Sequence, residues 1–145
     1  MTTTPLTTAI DTNVLVSLWG PDPTLNDAAG MALDAAAEMG ALVVSPPVFS
    51  ELMAAPRITE DRLAQFFADM GIAVEWVITE NAWRAAGRAH RAYAQRRRHS
   101  GDPHPRRILA DFLIGAHALT NGYALLTLDK SGFRAAFPAL KLLTF

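Results

Sequence analysis

Five short apolar runs, at residues 7–10, 41–44, 72–78, 123–128 and 139–144, alternate with segments punctuated like helices, and that alternation leaves few architectures open. Thr24 can cap a helix that Gly40 stops, and Ser45-Pro46-Pro47 opens another with proline in its first turn. That helix turns Val48, Phe49, Leu52 and Met53 inward beside Glu51 before Pro56 breaks it. Thr59 opens a helix with Glu60 and Asp61 at its positive end, and Gly71 closes it. Thr79 caps a long helix ending near Gly101, followed by a loop to Pro105 with two prolines. Ile108, Leu109, Phe112, Leu113, Ala116 and Leu119 then recur at helical spacing up to Asn121-Gly122, a stop and turn signal. A short helix at 131–137, ended by Pro138, precedes the last run. Strands alternating with helices predict an α/β chain whose parallel sheet is covered on both faces. At 145 residues and 50% hydrophobic content, the sequence suits one domain over 1–145 with one core.

Sheets of this kind bind ligands at the carboxyl ends of their strands, where the strand order reverses. Asp11 follows the first run, Glu51 lies in the helix after the second, and Asp129 follows the fourth. Asp111 reaches the same edge by length: its helix descends ~15 Å at ~1.5 Å per residue, and the next strand climbs back ~17 to 20 Å. An order of 3-2-1-4-5 would set strands one and four side by side and bring all four acids to one crevice. Each has a plainer reading: Asp11 and Asp129 as helix caps, Glu51 as a solvated helix residue, Asp111 as a helix-dipole partner. One shared cause for four acids outweighs four separate ones. Clustered carboxylates repel unless a cation neutralises them, and an all-oxygen site suits Mg²⁺ or Mn²⁺. Asp111, in so apolar a helix, is the acid most in need of such a partner.

A net charge of -1 hides an uneven distribution. Residues 84–107 hold eight arginines and one acid, which leaves the rest of the chain acidic. Arg84, Arg88 and Arg91 form a stripe at i, i+4 and i+7, and Arg96, Arg97 and Arg98 continue it toward Arg106 and Arg107, just before Asp111. Guanidinium groups suit phosphate, and such contacts give affinity without sequence preference; a solvated surface face is the alternative. The absence of cysteine removes disulfides, thiolate metal sites and cysteine nucleophiles, and fits a reducing cytosol. No run approaches the ~20 apolar residues of a membrane helix, and the N-terminus carries no basic leader, so a cytoplasmic protein away from membranes is expected.

Ile10-Asp11-Thr12-Asn13-Val14-Leu15, Pro47-Val48-Phe49-Ser50-Glu51-Leu52, Asp111-Phe112-Leu113-Ile114-Gly115-Ala116 and Leu126-Thr127-Leu128-Asp129-Lys130 together resemble the PIN-domain nucleases. Among them, the likeness is to the VapC toxins of VapBC-type toxin–antitoxin pairs. The resemblance spans nearly the whole chain in the family's order. It implies a three-layer α/β/α PIN-like fold and metal-dependent hydrolysis of RNA, with Asp11, Glu51, Asp111 and Asp129 as the acidic cluster. Asp11, Asp111 and Asp129 would contact the ion, Glu51 would orient water or a second ion, and Asn13 and Thr127 would support them. A small VapB-like antitoxin and a homodimer are further implications, with Val48, Phe49, Leu52, Met53, Phe66 and Phe67 available either to a dimer face or to the core. His117, a lone histidine on an apolar helix, reads as a packing residue and is left out of the site.

Two other classes fit parts of this pattern. A binding module of the same fold without catalysis would have no need of four acids. A phosphate-handling hydrolase or receiver domain would need a second acid after strand one, where this chain has Asn13.

Overall fold

Most of the strands that form are shorter than the apolar runs that announce them. The computed structural model describes residues 4–101 and 106–145, so most of the proline-bearing loop expected at 101–105 and the first three residues lie outside the described residues. In chain order the elements are β1 (Thr8–Ile10), α1 (Thr12–Trp19), α2 (Pro23–Met39), β2 (Leu42–Val44), α3 (Pro46–Met53), α4 (Glu60–Met70), β3 (Ile72–Val74), α5 (Glu80–Ser100), α6 (Leu109–Thr120), β4 (Ala124–Leu126), α7 (Lys130–Ala136) and β5 (Leu142–Leu143).

All pairings are parallel and the strand order is β3-β2-β1-β4-β5, the order that sets the acids on one edge. β1 is central, its Thr8 opposite Leu42 on one side and Ala124 on the other. Every residue of β1, β2 and β4 is buried, the mark of a sheet covered on both faces. Parallel crossovers are right-handed. The chain moves one way from β1 to β3 and the other way from β3 to β5, so α1 to α4 cover one face and α5 to α7 the other. Most contacts follow that division, α1 packing on α2 and α3 and α5 on α6 and α7, while α3 also meets α6.

Local chemistry starts each helix, with two departures from expectation. Thr59 and Thr79 accept the backbone N–H groups of Arg62 and Ala82. The cap of α2, however, is Asp22 rather than Thr24: its carboxylate takes the N–H groups of Thr24 and Leu25, with Pro23 in the first turn. The third run stops at Val74, and Trp76 and Val77 beyond it are exposed. Between them Glu75 still donates its N–H to the Val44 carbonyl at 2.9 Å, and its carboxylate meets Nε2 of His117 and the hydroxyl of Tyr123, each at 2.8 Å.

α6 is buried without interruption from Phe112 to Ala118, so it is apolar all round and needs cover on every side. α5 lies along it, with His90 stacked on Phe112 and Tyr93 tilted against it. α7 and its cap come close enough that a Cβ on Gly115 would overlap the ring of Phe137 and press tightly on that of Phe133. The side chains considered for a dimer face are mostly interior: Val48, Leu52 and Phe67 are core, Phe49 and Phe66 are packed on it, and only Met53 is exposed.

Candidate active site

Asp11 ends the central strand, and the sheet continues into it: its N–H donates to the Leu126 carbonyl at 2.9 Å. Its side chain therefore stands at the carboxyl edge between β1 and β4, only 6% exposed. Oδ1 accepts the N–H of Thr12 at 2.8 Å and Oδ2 the buried hydroxyl of Thr127 at 2.7 Å. The Thr127 oxygen in turn accepts the N–H of Asp129 at 2.9 Å. Asn13 ties the same loops from the other direction, its Oδ1 accepting the N–H of Leu128 at 3.2 Å. The loops after β1 and β4 are thus stitched together by Asn13 and Thr127, the two polar residues expected to support the acids.

The other acids arrive from three helices. Glu51, in α3, accepts the Thr12 hydroxyl at Oε1, 2.7 Å. Asp111, in the first turn of α6, accepts the Ile108 N–H at 3.3 Å, half of a capping box whose other half isoleucine cannot supply. Asp129 caps α7 through Oδ1, which takes the Gly132 N–H at 3.3 Å, while Oδ2 pairs with Nη1 of Arg107 at 2.5 Å.

Burial pushes the Asp11 carboxyl up to about 6. The Thr127 and Thr12 hydrogen bonds oppose that shift, while the charges of Asp111 and Glu51 reinforce it. Asp11, Asp111 and Glu51 are therefore close enough to feel one another. Asp129 joins them by another route, through Thr127 to Asp11 and through Arg107, whose guanidinium pKa is raised first by the Asp129 hydrogen bond and further by the charges of Asp129 and Asp111. Among the described residues no three His, Asp or Glu side chains already stand grouped to hold a metal ion. Each of these carboxylates is engaged by a donor of the protein itself.

The desolvated acid is not the one that sequence singled out. Asp111 is half-buried, because α6 enters the core only at Phe112, and Ile108 and Leu109 before it are exposed. Asp11 bears the burial, since it sits at the end of the central strand.

The arginines divide by position on α5. The Tyr93 hydroxyl accepts the backbone N–H of Arg107 at 2.8 Å and a weaker bond from Arg97 at 3.3 Å, so Tyr93 lies level with the start of α6. Arg96, Arg97 and Arg98 follow it and pass beyond that start. Arg84 lies ~13 Å back along the helix at ~1.5 Å per residue, paired with Glu80 at 2.8 Å. Arg88, Arg91 and Arg106 are exposed.

Sequence reasoning missed Thr12, Tyr93 and Gly132 as parts of the site. Thr12 adjoins Asp11 and could have been noticed; the other two matter only through contacts made across the fold. His117 lies elsewhere, 1% exposed and edge-on to Tyr123, its Nδ1 without a hydrogen-bond partner among the described residues.

A family model described as PIN domain matches residues 8–138. No curated protein matches the sequence. Several solved structures share the fold. VapBC2 from Rickettsia felis, bound to a DNA fragment from its promoter, is 16% identical with a TM-score of 0.67, over 96% of this chain and 98% of that one. VapBC-1 from nontypeable Haemophilus influenzae is 18% identical with a TM-score of 0.65, over 96% and 98%. A toxin–antitoxin complex from Klebsiella pneumoniae is 18% identical with a TM-score of 0.65, over 94% and 96%.

Proposed function

The chain belongs to the PIN-domain family, and from that premise we propose that it is a metal-dependent ribonuclease acting as the toxin of a toxin–antitoxin pair. The observation that supports the reading is the hydrogen-bonded chain from Glu51 through Thr12 to Asp11 and through Thr127 to Asp129 at one strand edge, where burial and the charges of Asp111 and Glu51 raise Asp11 to about 6. A site that accumulates negative charge at the expense of its own acid favours a cation.

The donor set fits such an ion in chemistry: all ligands are carboxylate oxygens, which suit Mg²⁺ or Mn²⁺. Asp11, Asp111 and Asp129 would hold it. When bound, a divalent cation acidifies water and offsets charge developing on the scissile phosphate. The chain does the rest. Thr127 and Thr12 fix both oxygens of Asp11, and Asn13 locks the loop that presents Asp129. Thr12 also holds Oε1 of Glu51, leaving Oε2 to orient the attacking water. Arg96, Arg97, Arg98, Arg106 and Arg107 line the approach for the RNA backbone, with Arg91, Arg88 and Arg84 progressively farther from it.

The partner would be a small VapB-like antitoxin, as the toxin–antitoxin complexes of the same fold suggest. An apolar cleft of about 590 Å³, walled by Val16, Trp19, Pro21, Pro56, Ile58 and Phe66, offers it a surface. No helix among the described residues is long and apolar enough to cross a membrane. Receiver-like and phosphotransferase-like readings gain nothing from the family match.

Cleavage of RNA with Mg²⁺ or Mn²⁺ tests the proposal. Chelation should abolish it, and Asp111→Asn should lower it by at least ~100-fold, the scale for removing one group that stabilises transition-state charge. An Asp111→Asn protein that cuts as fast as wild type would end the proposal.

A further inference from the structure

Both oxygens of Asp129 are already taken. Gly132 donates its N–H to Oδ1, and Arg107 holds Oδ2. The Arg107 side chain is 26% exposed, whereas Arg84 in its surface pair with Glu80 is 67% exposed, so this is a seated guanidinium and not a solvated one. Three features build the seat. Tyr93, packed on Phe112, fixes the base of the arm by accepting the Arg107 backbone N–H. Asp129 receives its head. Position 132 lacks a side chain, and the guanidinium and Oδ2 of Asp129 both occupy the space that a Cβ there would fill.

We propose that Arg107 is the resident counter-cation of the carboxylate cluster, competing with the divalent ion for Asp129 from a seat that Gly132 leaves open and Tyr93 aims. The inference rests on reading the cluster as a metal site. Its logic is competition: an ion drawn to Asp129 meets a positive charge already seated on Oδ2, and binds more tightly as Arg107 lets go. The released guanidinium then stands at the mouth of the site, with a fork suited to phosphate. Arg107 is on this account a positioning residue, setting how tightly the ion binds before any RNA arrives.

Calorimetric titration of Mn²⁺ into wild type, Arg107→Ala, Arg107→Gln and Arg106→Ala tests it, at ~0.3 M ionic strength to screen exposed charges beyond about 6 Å. Arg106→Ala removes the same charge one residue away. Arg107→Ala and Arg107→Gln should each bind Mn²⁺ about 5-fold tighter or more, the lower end of typical coupling between linked occupants. Arg106→Ala should stay near wild type. The inference fails if either Arg107 variant binds no tighter than Arg106→Ala. No Mn²⁺ binding by any variant overturns the metal-site reading together with this inference; wild-type binding that Arg107→Ala leaves unchanged overturns this inference alone.

Discussion

Asp11 concentrates the electrostatic cost of the site. Its folded pKa, about 6, lies above the value of 3.8 expected for a solvated aspartate, so between those two values the native state holds a proton that the unfolded state has released. Without metal, Asp11 therefore favours folding fully below pH ~4, and that contribution is lost as pH rises through about 6. A separation of this size corresponds to roughly 3 kcal/mol. Denaturant unfolding in chelator should therefore show a component of stability that falls between pH 4 and 7 in wild type and is missing in Asp11→Asn. Equal pH slopes for the two proteins would show that Asp11 ionises as if exposed. Thr12 and Thr127 limit the cost by placing a donor on each carboxylate oxygen, so the Thr12 amide and the Thr127 hydroxyl serve both strand-end geometry and charge.

Helices, not the sheet, bring the remaining acids to Asp11, and two glycines show how differently a helix can use a missing side chain. Gly115 lies inside α6, where a Cβ would overlap the ring of Phe137 and press tightly on that of Phe133, and its absence lets α7 settle with Asp129 at its cap. Gly87 lies inside α5 with nothing within 4 Å of where its Cβ would be. Alanine at position 87 should stabilise the protein by about 0.5–1 kcal/mol, because only the flexibility of glycine is removed. Alanine at position 115 gains the same propensity and loses more to overpacking, so a net destabilisation of roughly 1–2 kcal/mol is expected. Thermal melting of the pair checks this; Gly115→Ala melting above wild type would mean that α7 does not dock as tightly as the structure has it. Side chains at the ends of the apolar runs serve other elements than the sheet. The Thr127 and Glu75 backbones still donate to Leu143 and Val44, while the Thr127 side chain and the Leu128 N–H bond the loop after β1 and the Glu75 carboxylate turns to His117 and Tyr123.

Across the whole molecule, the acidic edge and the basic arm meet at one place. Tyr93 ties the base of Arg107 to α5 and Asp129 takes its head, so the end of the arginine helix and the carboxylates form one continuous surface. RNA affinity should fall with salt, by a slope of about 0.7 per phosphate engaged on a single strand. Replacing Arg96 and Arg98 together by alanine should lower that slope by about 1 to 1.5. Arg84→Ala should leave it unchanged, since Arg84 lies far from the site and is paired with Glu80. Filter-binding or fluorescence titrations over a salt series separate the two cases; equal losses for both variants would put the RNA along the full length of α5.

The alternation of elements and the position of Asp11, Glu51, Asp111 and Asp129 at or beside strand ends were legible in the chain, because they follow from apolar periodicity, capping residues and element length, whereas the order β3-β2-β1-β4-β5 came only with the resemblance to a known fold. The same resemblance marked Asn13 and Thr127. Tertiary structure decided which acid would be desolvated, and chose Asp11 over Asp111, since burial depends on where an element ends within the stack and not on how apolar its neighbours in sequence are. It also decided that Val48, Leu52 and Phe67 belong to the core. Finally, it brought Arg107 to Asp129 over Gly132, a meeting that no periodicity records because it exists only where α7 packs beside the start of α6.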